Sequence, residues 1–218
     1  YDFLNTGEEN YLRWQYGTFV RYIRVVAYNL ALLLPGIYLA VVLHHHEMIP
    51  TELLLAIAGS REGVPFPSVI EVLIMEISFE LVREAGLRLP GFMGSTIGIV
   101  GALILGQAAV QAHLVSPILV ILVAVTGLSS FAMPNYSIQF ALRISRFFYI
   151  ALGATLGFFG IIMGLATQVI MAASIKSFGV PYLSPIGPQT TMSADLANRF
   201  PIFFQEKRPD YLNPQDTT

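Results

Sequence analysis

Hydrophobic and polar positions divide the chain into long apolar runs separated by short polar or Pro/Gly-rich breaks. Residues 1–17 are polar and aromatic, with Asp2, Glu8, Glu9, Arg13, Trp14 and Tyr16, and read as a juxtamembrane lead-in. Arg21 and Arg24 precede the apolar run Val25–Leu43 of 19 residues. About 20 apolar residues are needed to cross a hydrocarbon core. Pro35 inside the run predicts a kink, and the leading arginines predict that this end faces the cytosol. After His44-His45-His46-Glu47, a short amphipathic piece, Glu52–Ala58, leads into the breaker-rich loop Gly59–Pro67. Ser68 followed by Glu71 has capping-box spacing, which predicts a helix over Ser68–Gly86 with the glycine as its stop. Two further apolar runs, Ser95–Val115 and Pro117–Met133, are joined so tightly that they predict a membrane hairpin. Tyr136–Arg146 is amphipathic, with Arg143 and Arg146 one turn apart, and Phe147–Ile175 predicts a last, tilted span. The Pro-rich remainder predicts a tail with little regular structure.

The expected organisation is a lead-in at 1–17, a transmembrane helical region at 18–178 and a cytosolic tail at 179–218. Four spans are expected, with Ser68–Gly86 as a candidate fifth. Four spans put both chain ends in the cytosol with most of the Lys and Arg residues, but leave Arg143 and Arg146 outside; a fifth reverses this. The chain begins at Tyr1 rather than a methionine, which points to an upstream segment.

Composition strengthens the membrane reading. Of 218 residues, 55% are hydrophobic and only 12% charged, about half the charged share of a soluble domain. So little charge leaves an apolar outer surface that a bilayer can solvate, and the fold class follows: an all-α, polytopic membrane protein. The net charge of −2 offers no basic excess for a nucleic acid. The absence of cysteine excludes disulfides, thiol catalysis and thiolate metal sites. No nucleophile elbow, phosphate loop, dinucleotide fingerprint or zinc motif is present, so no enzyme, cofactor or metal is expected. Three consecutive histidines point in different directions and do not make a metal site.

The segment Ser68–Gly86 holds the most informative chemistry. Glu76, Glu80 and Glu84 recur every fourth residue and share one helical face; Arg83 lies beside them. Glu71 points about 140° away from Glu76. Carboxylates at membrane depth are costly and face a hydrated path or a partner charge. Two readings stay open: a pore or ion-pathway helix whose glutamates select cations, or an amphipathic helix at the interface with an internal Glu80–Arg83 pair. Small-residue stripes run through Gly94, Gly98, Ala102 and Gly106, and through Gly153, Gly157, Gly160 and Gly164. They allow close helix packing within one chain or between subunits. His113, with Gln107 and Gln111, suggests interhelical hydrogen bonding.

Several stretches together carry a family resemblance: Ser60-Arg61-Glu62-Gly63-Val64-Pro65-Phe66-Pro67, then Met75-Glu76-Ile77-Ser78-Phe79-Glu80 and Arg83-Glu84-Ala85-Gly86. Gly106-Gln107-Ala108-Ala109-Val110, Pro134-Asn135-Tyr136 and Ser177-Phe178-Gly179-Val180-Pro181-Tyr182 extend it over most of residues 18–218. In these the chain resembles the A subunit of GerA-type spore germinant receptors of endospore-forming Firmicutes. The resemblance implies a membrane subunit in the spore inner membrane that forms a homo-oligomeric channel for monovalent cations. It also implies a transporter-like B subunit and a lipoprotein C subunit as partners, alongside membrane lipid, and a cytosolic domain ahead of the first span. It favours the pore reading of Glu71, Glu76 and Glu80. The rival classes are a secondary transporter, which would favour inverted repeats with broken helices, and a non-conducting scaffold.

Overall fold

The computed structural model describes residues 11, 13–88, 101, 104–177 and 180–183. Within these the chain is all-α apart from one short strand pair. Helix α1 spans Trp14–His44 and α2 spans Thr51–Arg61, with a 3-10 turn at His46–Met48 between them. Helix α3 spans Ser68–Arg88. Residues 104–111 are helical; α4 spans Pro117–Phe131 and α5 spans Tyr136–Ser174. Lys176–Ser177 (β1) and Val180–Pro181 (β2) pair antiparallel. Gly94, Gly98, Ala102, most of the lead-in and the tail beyond 183 lie outside the described residues.

Local chemistry explains the helix starts. Ser116 caps α4 by accepting the Leu119 N–H at 3.4 Å, and Pro117 occupies the first helical position, where its missing N–H costs nothing. Asn135 caps α5 by accepting the Ser137 N–H at 2.9 Å. The expected capping box at α3 does not form. Ser68 is the first helical residue, and the Glu71 carboxylate turns away to Arg61 and Ser116. Nor does Gly86 stop the helix, which runs on to Arg88.

Side-chain contacts give the helix directions. Ala31 meets Arg146, Gly36 meets Tyr149, and His44 meets Ala154, so α1 runs parallel to the first half of α5. Glu71 meets Ser116, Phe79 meets Gly127, and Arg83 meets Ser130, so α3 and α4 are parallel to each other. Glu80 meets Arg143 and Glu76 meets Arg146, so both oppose the first half of α5. Residues 101 and 104–111 run counter to α3 and α4: Gly101 lies beside Val82, and Gly106 beside Val120.

The last long helix differs from the single tilted span expected over Phe147–Ile175. It begins at Tyr136, absorbing the amphipathic Tyr136–Arg146 piece, and breaks at Gly157, where φ is 62° and ψ is −143°. That backbone conformation is open essentially to glycine alone. Beyond the break the chain folds back on itself. A Cβ on Gly160 would come 2.6 Å from the Leu152 carbonyl oxygen, and the Tyr149 hydroxyl donates to Gln168 Oε1 at 2.5 Å. A straight helix would hold Tyr149 and Gln168 about 28 Å apart.

Two apolar clusters fill the interior. One joins Ala27, Ala31 and Leu32 of α1 to Leu142, Tyr149 and Ile161 of α5. The other joins Tyr38 and Leu39 to Val72, Met75, Leu119 and Ile150. The backbones of α1 and α5 touch where Gly36 faces Tyr149 and Gly153; a Cβ on Gly36 would lie 2.7 Å from the Tyr149 carbonyl oxygen. The outside is apolar as well, with Phe19, Val26, Leu128, Phe159 and Ile170 more than half exposed. By length and composition, α1 and α5 are able to cross a membrane, and α4 is a shorter apolar helix.

Candidate functional site: a buried charged seam

The glutamate face of α3 is turned into the bundle, against α4 and α5. Glu76 is fully buried, and its Oε2 accepts from Arg146 at 2.7 Å. Arg146 is itself 1% exposed, and its Nε donates to the Ala31 carbonyl of α1 at 2.8 Å. One turn along α3, Glu80 lies 3.3 Å from Arg83, 3.5 Å from Arg143 and 3.9 Å from Arg146. Arg83 also donates to the Ser130 hydroxyl at 2.6 Å and to the Gly127 carbonyl at 3.4 Å. Its guanidinium stacks over Phe79 and Phe131 at 5.0 and 4.6 Å, a geometry that favours the cation in a desolvated place. The Phe79 ring fits because Gly127 opposite carries no side chain.

Two carboxylates thus meet three guanidiniums, and the seam carries a formal charge of 3 − 2 = +1. Sequence alone offers Arg83 as the one cation near the glutamate stripe; α5 supplies Arg143 and Arg146 as two more. A signal for this exists in the spacing. Arginines at i and i+3 on α5 match glutamates at i and i+4 on α3 once the two helices run antiparallel. Several polar atoms in the seam, among them Glu76 Oε1 and Arg146 NH2, have no protein hydrogen-bond partner. Ordered water is the ordinary complement of such groups.

Glu71 makes a separate site at the opposite end of α3. It is fully buried, accepts the Ser116 N–H at 2.5 Å, and its other oxygen lies 3.3 Å from Arg61 Nε. This carboxylate sits at the N-terminus of α4, where the helix dipole favours negative charge. It ties the end of α2, the start of α3 and the start of α4 together. Its separation from the Glu76 face follows from the wheel angle. Glu84 is exposed, one turn beyond Glu80.

The remaining candidates fall elsewhere. Gly106 packs against Val120, and Gly153 against Gly36 of α1. Gly160 and Gly164 line the fold-back of α5. Gln107, Gln111 and His113 are exposed rather than held between helices; His113 has a φ of 54° and stands beside Gly63. His44 Nε2 lies 3.0 Å from the Ala154 carbonyl, and the His45 ring packs on Phe158, so these histidines clasp the turn of α5. No group of residues able to hold a metal ion occurs among the described residues.

The described residues form an all-α bundle with an apolar exterior, ion pairs sealed in its interior and two helices long and apolar enough to cross a membrane. The family model described as Bacillus/Clostridium GerA spore germination protein matches residues 1–211, and the chain belongs to that family. It is 45% identical over 98% of its length to spore germination protein KA of Bacillus subtilis, and 43% identical over its whole length to spore germination protein GerLA of Bacillus cereus. It is also 41% identical over 94% of its length to the uncharacterized membrane protein YfkQ of Bacillus subtilis. The chain spans 40% to 44% of the length of these relatives. No solved structure matches it.

Proposed function

We propose that this chain is the membrane-embedded region of an A-type germinant-receptor subunit in the spore inner membrane. In this reading the subunit assembles as a homo-oligomer, works with a transporter-like B subunit and a lipoprotein C subunit, and conducts monovalent cations when germination begins. About six helical passes carry the chain across the bilayer in this reading. The α3 face bearing Glu76 and Glu80, with Arg83 and Glu84 beside it, is the charged element of the ion pathway. The observation that carries the proposal is the buried seam. An ion pair sealed in an apolar bundle is weak as a source of stability and marks functional pathways in membrane proteins. In the arrangement described, Arg143 and Arg146 occupy the Glu76 and Glu80 carboxylates, so we read it as the closed one. Opening withdraws Arg143 or Arg146 from the glutamates, a shift between two packed states that a nutrient-bound partner biases.

The test is cation flux from liposomes carrying the purified full-length subunit, with its oligomeric state measured in parallel. An oligomer that releases potassium supports the reading, and an oligomer that passes no ion under any condition makes the chain a scaffold. One feature favours a transporter instead: the broken helix at Gly157, since discontinuous helices form transporter binding sites. Flux that saturates and requires a co-substrate would select that reading.

A further inference from the structure

Pro35 has no N–H, so the Ala31 carbonyl one turn earlier on α1 loses its ordinary intrahelical partner. Arg146 takes the place of that partner. Its Nε reaches the Ala31 oxygen at 2.8 Å while NH1 of the same group holds Glu76 at 2.7 Å. A guanidinium is a rigid planar fork, so the two bonds constrain each other's direction. Just beyond the proline, Gly36 brings the α1 backbone against Tyr149 and Gly153 of α5. Little soft side chain lies there to absorb a movement of one helix against the other.

We infer that Arg146 is a positioning residue that couples the α1 backbone at Pro35 to the placement of Glu76 on α3. Bending of α1 at Pro35 would shift the Ala31 carbonyl, turn the guanidinium and so move the carboxylate. Only the consequence for conduction rests on the ion-pathway reading above; the coupling itself is a property of three helices.

The test uses the full-length protein with Met75→Cys as a reporter. Met75 is 7% exposed and shares a cluster with Tyr38 and Leu39 of α1, and the chain has no cysteine of its own. The rate of maleimide labelling at position 75 reads separation of α1 from α3. Pro35→Ala supplies an N–H that competes for the Ala31 carbonyl. Arg146→Lys keeps a cation opposite Glu76 but removes the fork. Each is expected to speed labelling about tenfold, the order expected for loss of one charge-assisted hydrogen bond. The double variant should be no faster than either single variant, because both remove the same link. Rates that multiply, or a Pro35→Ala protein labelled as slowly as wild type, overturn the coupling. Should Arg146→Lys fail to fold, the Pro35→Ala rate decides alone. Ion flux is measured separately, so a non-conducting protein with this pattern keeps the coupling and loses the pathway.

Discussion

Arg146 is where the chain is least tolerant of change. It is buried with Glu76 and with a carbonyl that proline has left unpaired. Replacing it with Met leaves a buried, unneutralised carboxylate, and losing one partner of such a pair costs about 3–5 kcal/mol. Arg146→Met is therefore expected to lower the thermal midpoint of the purified protein steeply. Adding Glu76→Gln should restore part of the loss, because the second change removes the stranded charge. A double variant no more stable than Arg146→Met would mean that the pair is not what holds Arg146. The glutamate stripe was legible from residue spacing, but its partners were not. Arg146 lies 70 residues from Glu76, and no local pattern announces that two helices will meet. Pro35 predicts from sequence that the Ala31 carbonyl loses its helical donor and needs another, though not which one.

The helices themselves were largely readable, because apolar runs bounded by Ser-Pro and Pro-Asn mark their own ends. The break in α5 was not. Gly153, Gly157, Gly160 and Gly164 look alike in sequence, and only Thr155 among the residues between them is polar. The structure nevertheless uses them differently: Gly153 for contact with α1, Gly157 for the reversal, Gly160 and Gly164 for the return. Gly157→Ala must hold a Cβ at φ 62°, a cost of about 1–3 kcal/mol. It should destabilise the protein by that amount, as read by the thermal midpoint in detergent. Gly153→Leu, where an added Cβ would collide with the Gly36 carbonyl, should prevent the α1–α5 contact altogether and lower the yield of folded protein. A well-folded Gly153→Leu protein would show that the two helices do not touch at that point. The depth of α3 was likewise hidden, since its charges resemble those of an interfacial helix until their partners are known.

At the scale of the whole molecule, the fold-back of α5 and the position of α3 bear on the number of passes. Helices α1, α3, residues 104–111, α4 and the two halves of α5 alternate in direction. That pattern returns the end of α5 to the end of the bundle where α1 begins, and we propose that it makes six passes. The charge puzzle of the four-span reading then disappears, because Arg143 and Arg146 lie in the interior rather than in an outer loop. Cysteines placed at Tyr11 and Tyr182 are expected to label from one side of the membrane, and cysteines at Glu47 and His113 from the other. Tyr11 and Tyr182 labelling from opposite sides would break the six-pass topology. The central claim, that the α3 carboxylates favour cation passage while the α5 arginines oppose it, is tested most directly by potassium flux through reconstituted full-length Glu80→Gln and Arg143→Gln proteins. Neutralising a carboxylate lowers the local cation concentration, and neutralising a guanidinium raises it. The account predicts flux several-fold below wild type for Glu80→Gln and above wild type for Arg143→Gln; flux that is unchanged in both, or shifts in the same direction in both, would contradict it.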